Sequence, residues 1–216
     1  METRITRITR TKQGRFALFC GEEFLFSVDD ETFFGWHLAE GTVLSAAELE
    51  ELRARSDAKK ATAKALEYLS RRDHAAGELY EKLRKKFDPA SCRAAVDRMR
   101  ELGLTDDYAF ALGRARYLLG QGKSRRAVEY ALAEKGVEKE TIRQVMEEVY
   151  AEAEEEGLDP EMEALRGLIE KNYARRLAQG KTDQVAAALC RRGFAPAAVR
   201  AALREYTPST EENFEL

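Results

Sequence analysis

The sequence predicts a mainly α-helical protein of tandem three-helix repeats, preceded by a small N-terminal β-hairpin region. Apolar residues alternate at a spacing of two only within the first 45 residues, whereas from Asp57 onward they recur at three- and four-residue spacing. Similar segments occur three times in the helical part, centred on Leu83, Leu132 and Leu189. Charged residues make up 35% of the 216 residues, against about 25% in an average globular chain, which is typical of exposed helices.

The N-terminal region combines a hairpin with the start of the first long helix. A Gly-Glu-Glu connection at 21–23 joins two alternating runs, which predict strands over 15–20 and 23–28. Trp36 lies beside two phenylalanines and is interpreted as a hydrophobic plug between the hairpin and the helices. Ser45 and Glu48 have the spacing of a capping box, so a helix is predicted to begin there.

Each repeat is predicted to contain three helices. Its second helix carries apolar residues four apart and a basic turn, and Gly136 and Gly193 fit the left-handed position that ends this helix in the second and third copies. The acidic run over 152–159 is interpreted as a connector or a helix extension. The predicted segments are a hairpin region over 1–45, a capping helix and first repeat over 46–104, a second repeat over 105–157, a third repeat over 158–207 and a tail over 208–216.

Charges are segregated along the chain, although the net charge is only −3. Residues 58–126 hold 17 Lys and Arg against 9 Asp and Glu, residues 138–163 hold 2 against 11, and residues 164–204 hold 9 against 2. The near-neutral total excludes a protein that coats nucleic acid by bulk charge, so a polyanion site must be local.

Twelve basic residues are therefore candidates for contact with phosphates or with an acidic protein surface. The three lysines between positions 82 and 86 are predicted to share one helix face. A solvated helix face is the alternative interpretation for each residue of the set. The candidates are Arg71, Arg72, Lys82, Lys85, Lys86, Arg114, Arg116, Lys123, Arg125, Arg126, Arg191 and Arg192.

The sequence offers no nucleophile, general base or metal cluster, so neither an enzyme nor a cofactor is predicted. Three distant cysteines fit a reducing cytoplasm, and the apolar runs are far shorter than the roughly 20 residues of a membrane-spanning helix. Two Gly-Lys-Ser/Thr tripeptides lack the earlier Gly of a phosphate-binding loop, so Ser124 and Thr182 are interpreted as helix caps. His74 is interpreted as a surface residue at a helix start, and Asp106 and Asp107 are explained by capping and the helix dipole at a helix N-terminus.

Five segments in a fixed order carry the most specific pattern in the chain. They are Ala65-Leu-Glu-Tyr-Leu69-Ser-Arg-Arg72, Glu78-Leu79-Tyr-Glu-Lys-Leu83, Glu101-Leu-Gly-Leu104-Thr-Asp-Asp107-Tyr-Ala-Phe110-Ala111, Ala133-Glu-Lys-Gly136-Val137 and Arg191-Arg-Gly193-Phe194. Over residues 58–206 the sequence therefore resembles the RecX family of bacterial recombination regulators. Ala75 stands where that family often has Ser, and Phe87-Asp88 lacks the Gly usual before that apolar position, so the helix ends of the first repeat are expected to differ.

The resemblance implies an elongated, curved array of three-helix repeats. It also implies binding to a RecA-type recombinase filament on single-stranded DNA, with inhibition of ATP hydrolysis, strand exchange and co-protease activity. We expect a cytoplasmic monomer without membrane contact, whose basic segments contact the filament and its single-stranded DNA. The residues alone leave two alternatives open, which are a stand-alone DNA-binding helical-repeat protein and a generic protein-interaction scaffold.

Overall fold

Short strands and one short helix form the N-terminal part of the computed structural model, which describes residues 2–206. The predicted hairpin is confirmed, and a further strand extends it to an antiparallel sheet of order β2-β3-β4, while β1 pairs with β5. These elements are β1 (Glu2–Arg4), β2 (Arg7–Arg10), β3 (Phe16–Cys20), β4 (Glu23–Val28), α1 (Asp30–Gly35) and β5 (Val43–Ser45).

Helices form the remainder of the described chain, which comprises three groups in chain order. The helices of the first group are α2 (Ala46–Leu69), α3 (Ala76–Arg84) and α4 (Pro89–Glu101). Those of the second are α5 (Asp107–Gly120), α6 (Arg125–Ala133) and α7 (Lys139–Glu155). Those of the third are α8 (Pro160–Leu168), a π-helical turn (Ile169–Tyr173), α9 (Ala174–Leu177), α10 (Thr182–Arg191) and α11 (Pro196–Tyr206).

Several helix ends have the causes that the sequence predicts. The capping box is present, because the Ser45 N–H donates to a Glu48 carboxylate oxygen at 2.8 Å and the Glu48 N–H donates to Ser45 Oγ at 3.3 Å. Gly136 and Gly193 have φ angles of 75° and 93°, which confirms their left-handed positions after α6 and α10. Prolines occupy the first residues of three helices, where their missing N–H has no intrahelical partner to lose.

Three expectations about the helices need correction or extension. Thr182 does not cap α10, because Lys181 precedes the helix and makes no side-chain cap hydrogen bond. The helix predicted over 58–69 is the second half of the continuous helix α2, which starts at the capping box. The acidic run is partly a helix extension, since α7 continues to Glu155.

The described chain divides into two units, each with its own buried apolar residues. Residues 2–74 and 78–105 belong to the first unit, and residues 75–77 and 106–206 belong to the second. In the first unit Trp36 packs at the edge of the cluster between strands and α2, which confirms its interpretation as a plug. In the second unit one cluster joins α5 to α7 and another joins α8 to α11. The predicted division into repeats and tail stays a prediction, and residues 208–216 lie outside the described range.

Candidate functional site

Two candidate arginines lie in the turn after α2, in the first unit. Arg71 is exposed and pairs with Glu67 at 2.7 Å. Arg72 binds both carboxylate oxygens of Glu78, at 2.7 and 3.0 Å, and the Glu78 side chain is only 11% exposed. Because a bidentate pair fixes a guanidinium in one orientation, Arg72 stabilises the start of α3, while Arg71 keeps more of its surface in solvent.

Lys82 and His74 form a contact that the sequence did not predict. His74 is 3% exposed, so its interpretation as a surface residue is wrong. Its Nδ1–H donates to the Arg72 carbonyl at 2.9 Å, and its Nε2 accepts a hydrogen bond from the Lys82 ammonium at 2.8 Å. Burial, together with the nearby charges of Arg72 and Lys82, lowers the pKa of His74, which keeps the imidazole neutral. The Lys82 ammonium also lies 5.2 Å from the ring centroid of Tyr68, so it is held by the protein rather than by solvent.

Lys85 and Lys86 occupy a different environment from Lys82. Helix α3 ends at Arg84, because the N–H groups of Lys86 and Phe87 both donate to the Leu83 carbonyl. The prediction of one shared helix face is therefore wrong, since Lys85 and Lys86 lie in the turn that follows the helix. Both are exposed, and they are the lysines of this segment that can meet a polyanion.

A buried hydroxyl joins two chain segments in the second unit. Ser124 is 1% exposed and caps α6 as predicted, because its Oγ accepts from the Ala127 N–H at 3.3 Å. The same hydroxyl donates to the Arg192 carbonyl at 2.9 Å. Gly193 follows, and a Cβ at this residue would lie only 2.7 Å from Ser124 Oγ. Thus the turn before α6 and the end of α10 meet at a contact where glycine alone fits.

This contact joins two segments that carry basic residues, since Ser124 and Arg192 are 68 positions apart in the sequence. Lys123 and Arg126 come from the turn and from α6, and Arg191 and Arg192 come from the end of α10; all four are exposed. Lys123 and Arg192 line a depression of about 410 Å³, and the position of a Cβ on Gly193 lies 3.4 Å from the Arg126 Cβ. We call these four residues the junction cluster. Its concentrated positive charge is suited to phosphates or carboxylates.

The candidate arginines of α5 are engaged by neighbouring side chains. Arg116 binds Glu152 at 2.5 and 3.2 Å and lies 3.7 Å from Glu148. The Arg114 guanidinium lies 5.3 Å from the ring centroid of Tyr117, a residue that is 57% exposed. Arg116 therefore neutralises part of the acidic α7, whereas Arg114 presents its charge beside an exposed aromatic ring.

Arg125, next to Arg126 in the chain, lies among acidic side chains and a partly buried tyrosine. It pairs with Glu129 at 3.0 Å, and its guanidinium is 5.0 Å from the ring centroid of Tyr150. Burial and the charge of Glu161 raise the pKa of Tyr150 to about 12. Burial also raises the pKa of Glu161, whose carboxylate accepts a hydrogen bond from the Ala195 N–H. Arg125 is thus a structural cation that offsets nearby carboxylates.

Sequence reasoning missed the residue that caps α3. Ala75 occupies the position that Ser124 holds in the second repeat, and its side chain has no oxygen that could cap a helix. Asp107, which belongs to the same unit, accepts the Ala76 N–H at 2.7 Å. Asp106 caps α5 by accepting from the N–H groups of Tyr108 and Ala109, and Asp107 lies in the first turn of α5, so the prediction that capping and the helix dipole explain the two acids is confirmed. The hydrogen bond from the Ala76 N–H to Asp107 was not predicted. Two consecutive acidic residues at the start of one helix are the signal in the sequence, because one carboxylate can cap that helix while the other accepts from a second backbone N–H.

Other chemistry is sparse in the part of the chain that the structure describes. Between residues 2 and 206 there is no group of three or more His, Cys, Asp or Glu that could hold a metal ion. Over the same range no helix is both long and apolar enough to cross a membrane. The expected lack of a cofactor and of enzymatic activity stays a prediction.

The fold and the exposed cations define a class of protein, namely a tandem three-helix-repeat protein with basic residues on its surface. Two family models match it, described as the first RecX three-helix domain over residues 61–99 and the second over residues 106–146. A regulatory protein RecX from Caldanaerobacter subterraneus subsp. tengcongensis is 31% identical over 169 residues, which cover 77% of this chain and 83% of the relative. The chain belongs to the RecX family of regulatory proteins.

Further relatives agree with this assignment. A regulatory protein RecX from Listeria monocytogenes serovar 1/2a is 28% identical over 202 residues, which cover 93% of this chain and 74% of the relative. The crystal structure of a regulatory protein RecX matches 93% of this chain and 98% of its own, with a TM-score of 0.65 and 20% identity. RecX from Lactobacillus salivarius matches 69% of this chain and 96% of its own, with a TM-score of 0.58 and 20% identity. The two crystal structures confirm the fold.

Proposed function

We propose that this regulatory protein binds a RecA-type recombinase filament on single-stranded DNA and inhibits its ATP hydrolysis, strand exchange and co-protease activity. The observation that carries the proposal is the junction cluster, in which the hydrogen bond between the Ser124 hydroxyl and the Arg192 carbonyl joins the two segments that carry its exposed cations. A nucleoprotein filament offers both DNA phosphates and protein carboxylates to such a surface. Its affinity is expected to fall with salt, because binding of cations to DNA releases condensed counterions.

The cations of the cluster are available to a partner. Between residues 2 and 206, Lys123, Arg126 and Arg191 take part in no ion pair, whereas Arg116 and Arg125 of the same unit are paired with glutamates. An unpaired exposed cation binds a phosphate without first giving up a carboxylate. The turn with Lys85 and Lys86 is a second surface of this kind, and we propose that both surfaces contribute.

The first test is the rate of DNA-dependent ATP hydrolysis by a RecA-type recombinase, titrated with this protein at fixed salt. We expect inhibition at substoichiometric ratios, because a regulator of a filament acts on many subunits at once. An unchanged rate, in a preparation that circular dichroism shows to be helical, would contradict the proposal. Salt-sensitive DNA binding without that inhibition would instead favour a stand-alone DNA-binding protein.

Charge reversal then tests the surfaces. Lys123→Glu combined with Arg126→Glu is expected to weaken inhibition at least tenfold, and Lys85→Glu combined with Lys86→Glu to weaken it less, since about one phosphate contact is lost per cation. The control is Lys12→Glu combined with Arg200→Glu, which makes the same charge change at exposed residues elsewhere. Lys82 is left intact, because its replacement would disturb buried His74. Equal inhibition by the first pair and the control would refute the assignment of the junction cluster.

A further inference from the structure

A row of one arginine and two phenylalanines crosses the N-terminal sheet of the first unit. Arg7 of β2 is paired with Phe19 of β3, which is paired in turn with Phe24 of β4. Side chains of paired residues in antiparallel strands lie on the same face and contact one another. The Arg7 guanidinium lies 4.1 Å from the ring centroid of Phe19, and the ring centroids of Phe19 and Phe24 are 5.6 Å apart. We call these three residues the sheet ladder.

A shift in strand register turns Phe24 away from the core. Phe26 is paired with Leu18, and both side chains are buried in the apolar cluster of this unit. Phe24 is two positions from Phe26, so a regular strand would point both rings to the same face. The register shifts between Leu18 and Phe19, which places Phe24 opposite Phe19 instead. Such irregularities re-aim individual side chains, and here the shift places the ring of Phe24 in the sheet ladder.

Burial of apolar surface does not explain the sheet ladder. Phe24 is 55% exposed, and neither phenylalanine of the ladder belongs to the apolar cluster between the strands and α2. The exposed ring of Phe34 differs in this respect, because it lies 5.3 Å from the ring of Phe33, which packs against that cluster. The two rings of the ladder are therefore an aromatic surface that is open to a partner.

The segment that carries Arg7 is basic. Residues 2–12 contain four Lys and Arg against one acidic residue. In the described part of the chain, Arg4, Arg7 and Lys12 are exposed and form no ion pair. Arg7 makes no side-chain hydrogen bond there either, so its N–H donors remain available to a phosphate while its guanidinium contacts the Phe19 ring.

The same face of the sheet offers no carboxylate from its paired strand positions. The next positions on this face are Thr9, Ala17 and Ser27, which are paired with one another and carry no charge. Glu23 lies on the opposite face, because its partner Cys20 directly follows a ladder residue along β3. One unpaired cation beside two aromatic rings is thus complementary to an anion that carries flat rings of its own.

We propose that the sheet ladder binds single-stranded DNA, with a base stacked on Phe24 and the adjoining phosphate bound by Arg7. Sites of this class combine aromatic rings, on which bases stack, with cations that follow the phosphates. The bases of a duplex are already stacked on one another and cannot reach a protein ring without leaving the helix. The inference adds a DNA contact in the first unit to the proposed function. It does not rest on inhibition of a recombinase, because its decisive tests use DNA alone.

The affinity of the full chain for labelled oligothymidylate, measured by fluorescence anisotropy, separates the two contacts. Phe24→Leu keeps an apolar side chain and removes the ring, so we expect binding to weaken by roughly 5- to 100-fold, the effect of one lost stacked base. This factor should be the same at every salt concentration. Arg7→Gln should instead reduce the slope of log affinity against log salt by about 0.7, the value for one phosphate of a single strand.

The matched control is Phe34→Leu, the same substitution at an exposed ring of the same unit. Phe34 is 63% exposed and lies 6.0 Å from the ring of Phe16, over which Arg10 lies. Arg10 is held by both carboxylate oxygens of Asp30 at 3.0 Å, so no unpaired cation accompanies this ring. Phe34→Leu should therefore leave the affinity unchanged.

Two further measurements report on the stacked base itself. An abasic oligomer of the same length keeps the phosphates and lacks the bases, so the original chain and Phe24→Leu should bind it equally. Trp36 is the only tryptophan of the chain, so Phe24→Trp in a Trp36→Phe background places one fluorophore in the ladder. Its fluorescence should be quenched by oligothymidylate, and its affinity should match that of Trp36→Phe alone, because the aromatic ring is retained.

Equal affinities of the original chain, Phe24→Leu and Phe34→Leu for oligothymidylate would overturn the inference, and the ladder would then be a cross-strand contact of the hairpin alone. An equal loss of affinity for the abasic oligomer would refute the stacked base. Weaker inhibition of a recombinase by Phe24→Leu with unchanged DNA affinity would assign the ladder to a protein partner and also overturn the inference. Absence of DNA binding by the original chain would do the same, while the ATP hydrolysis assay would still decide the proposed function.

Discussion

Replacing Gly193 by alanine tests whether the contact with Ser124 assembles the junction cluster. Gly193 has a φ of 93°, and a non-glycine residue in the left-handed region costs about 1–2 kcal/mol. The added Cβ would also lie 2.7 Å from Ser124 Oγ, so the hydroxyl must move and its bond to the Arg192 carbonyl is lost. An unsatisfied buried polar group costs about 1–3 kcal/mol. The substitution is therefore expected to reduce the free energy of unfolding by about 2–5 kcal/mol.

The matched control is Gly157→Ala. Gly157 has a φ of 71° and also lies in the second unit, but no heavy atom lies within 4 Å of an added Cβ. Its replacement should lower the free energy of unfolding only by the cost of the left-handed backbone conformation, about 1–2 kcal/mol. Since about 1 kcal/mol shifts the melting temperature of a chain of this size by about 2–4 °C, thermal unfolding followed by circular dichroism should separate the two variants by roughly 2–12 °C.

The same pair of variants has a functional readout. Gly193→Ala should weaken salt-sensitive binding of single-stranded DNA, because Lys123 and Arg126 would no longer be held beside Arg192, and Gly157→Ala should leave that binding unchanged. Equal melting temperatures for the two variants would refute the argument from the Ser124 contact. A large loss of stability with unchanged DNA affinity would show that the contact stabilises the fold without organising the cluster.

Three further predictions concern residues that sequence reasoning missed or misread. Asp107→Ala should lower the free energy of unfolding by about 1–3 kcal/mol, because it leaves the buried Ala76 N–H without its acceptor. Adding Ala75→Ser to this variant should restore part of the lost free energy of unfolding, measured by urea denaturation. No recovery would contradict the capping role. The folded state lowers the pKa of His74, so the unfolded chain binds a proton at this residue first as the pH falls below about 6.5, and the free energy of unfolding decreases. His74→Gln should make the free energy of unfolding depend less steeply on pH in this range. An equally steep dependence in both proteins would show that His74 is not its source. The folded state raises the pKa of Glu161 through burial, so the ionised carboxylate lowers the free energy of unfolding as the pH rises. Glu161→Gln should therefore raise the melting temperature at pH 7 more than at pH 4. A larger increase at pH 4 would rule out a burial penalty.

Much of the fold follows from local patterns. The hairpin, the capping box at Ser45 and the glycines that end α6 and α10 were all predicted, because each depends on residues within a few positions of one another. The family assignment was predicted for a related reason, since it depends on the order and spacing of short segments. The positive character of the candidate surface also follows from the segment charges, because the charged residues are grouped along the chain.

The environment of each candidate residue did not follow from the sequence. Lys82 and Lys85 are three positions apart, yet Lys82 is bound by buried His74, whereas Lys85 is exposed beyond the end of α3. The partners of Lys82 are fixed by contacts between positions far apart in the sequence, since its ammonium meets His74 and lies beside the ring of Tyr68.

What the sequence by itself determined is the set of helices, their repetition and the grouping of charge. What only the tertiary structure decided is which cations act together, which are already paired, and how α3 is capped by Asp107 from another helix. The physical reason is the sequence separation of the residues that take part in each interaction. Periodicity and capping are set by neighbours along the chain, whereas pairing, burial and the Ser124 contact with Arg192 exist only once residues tens of positions apart are packed together.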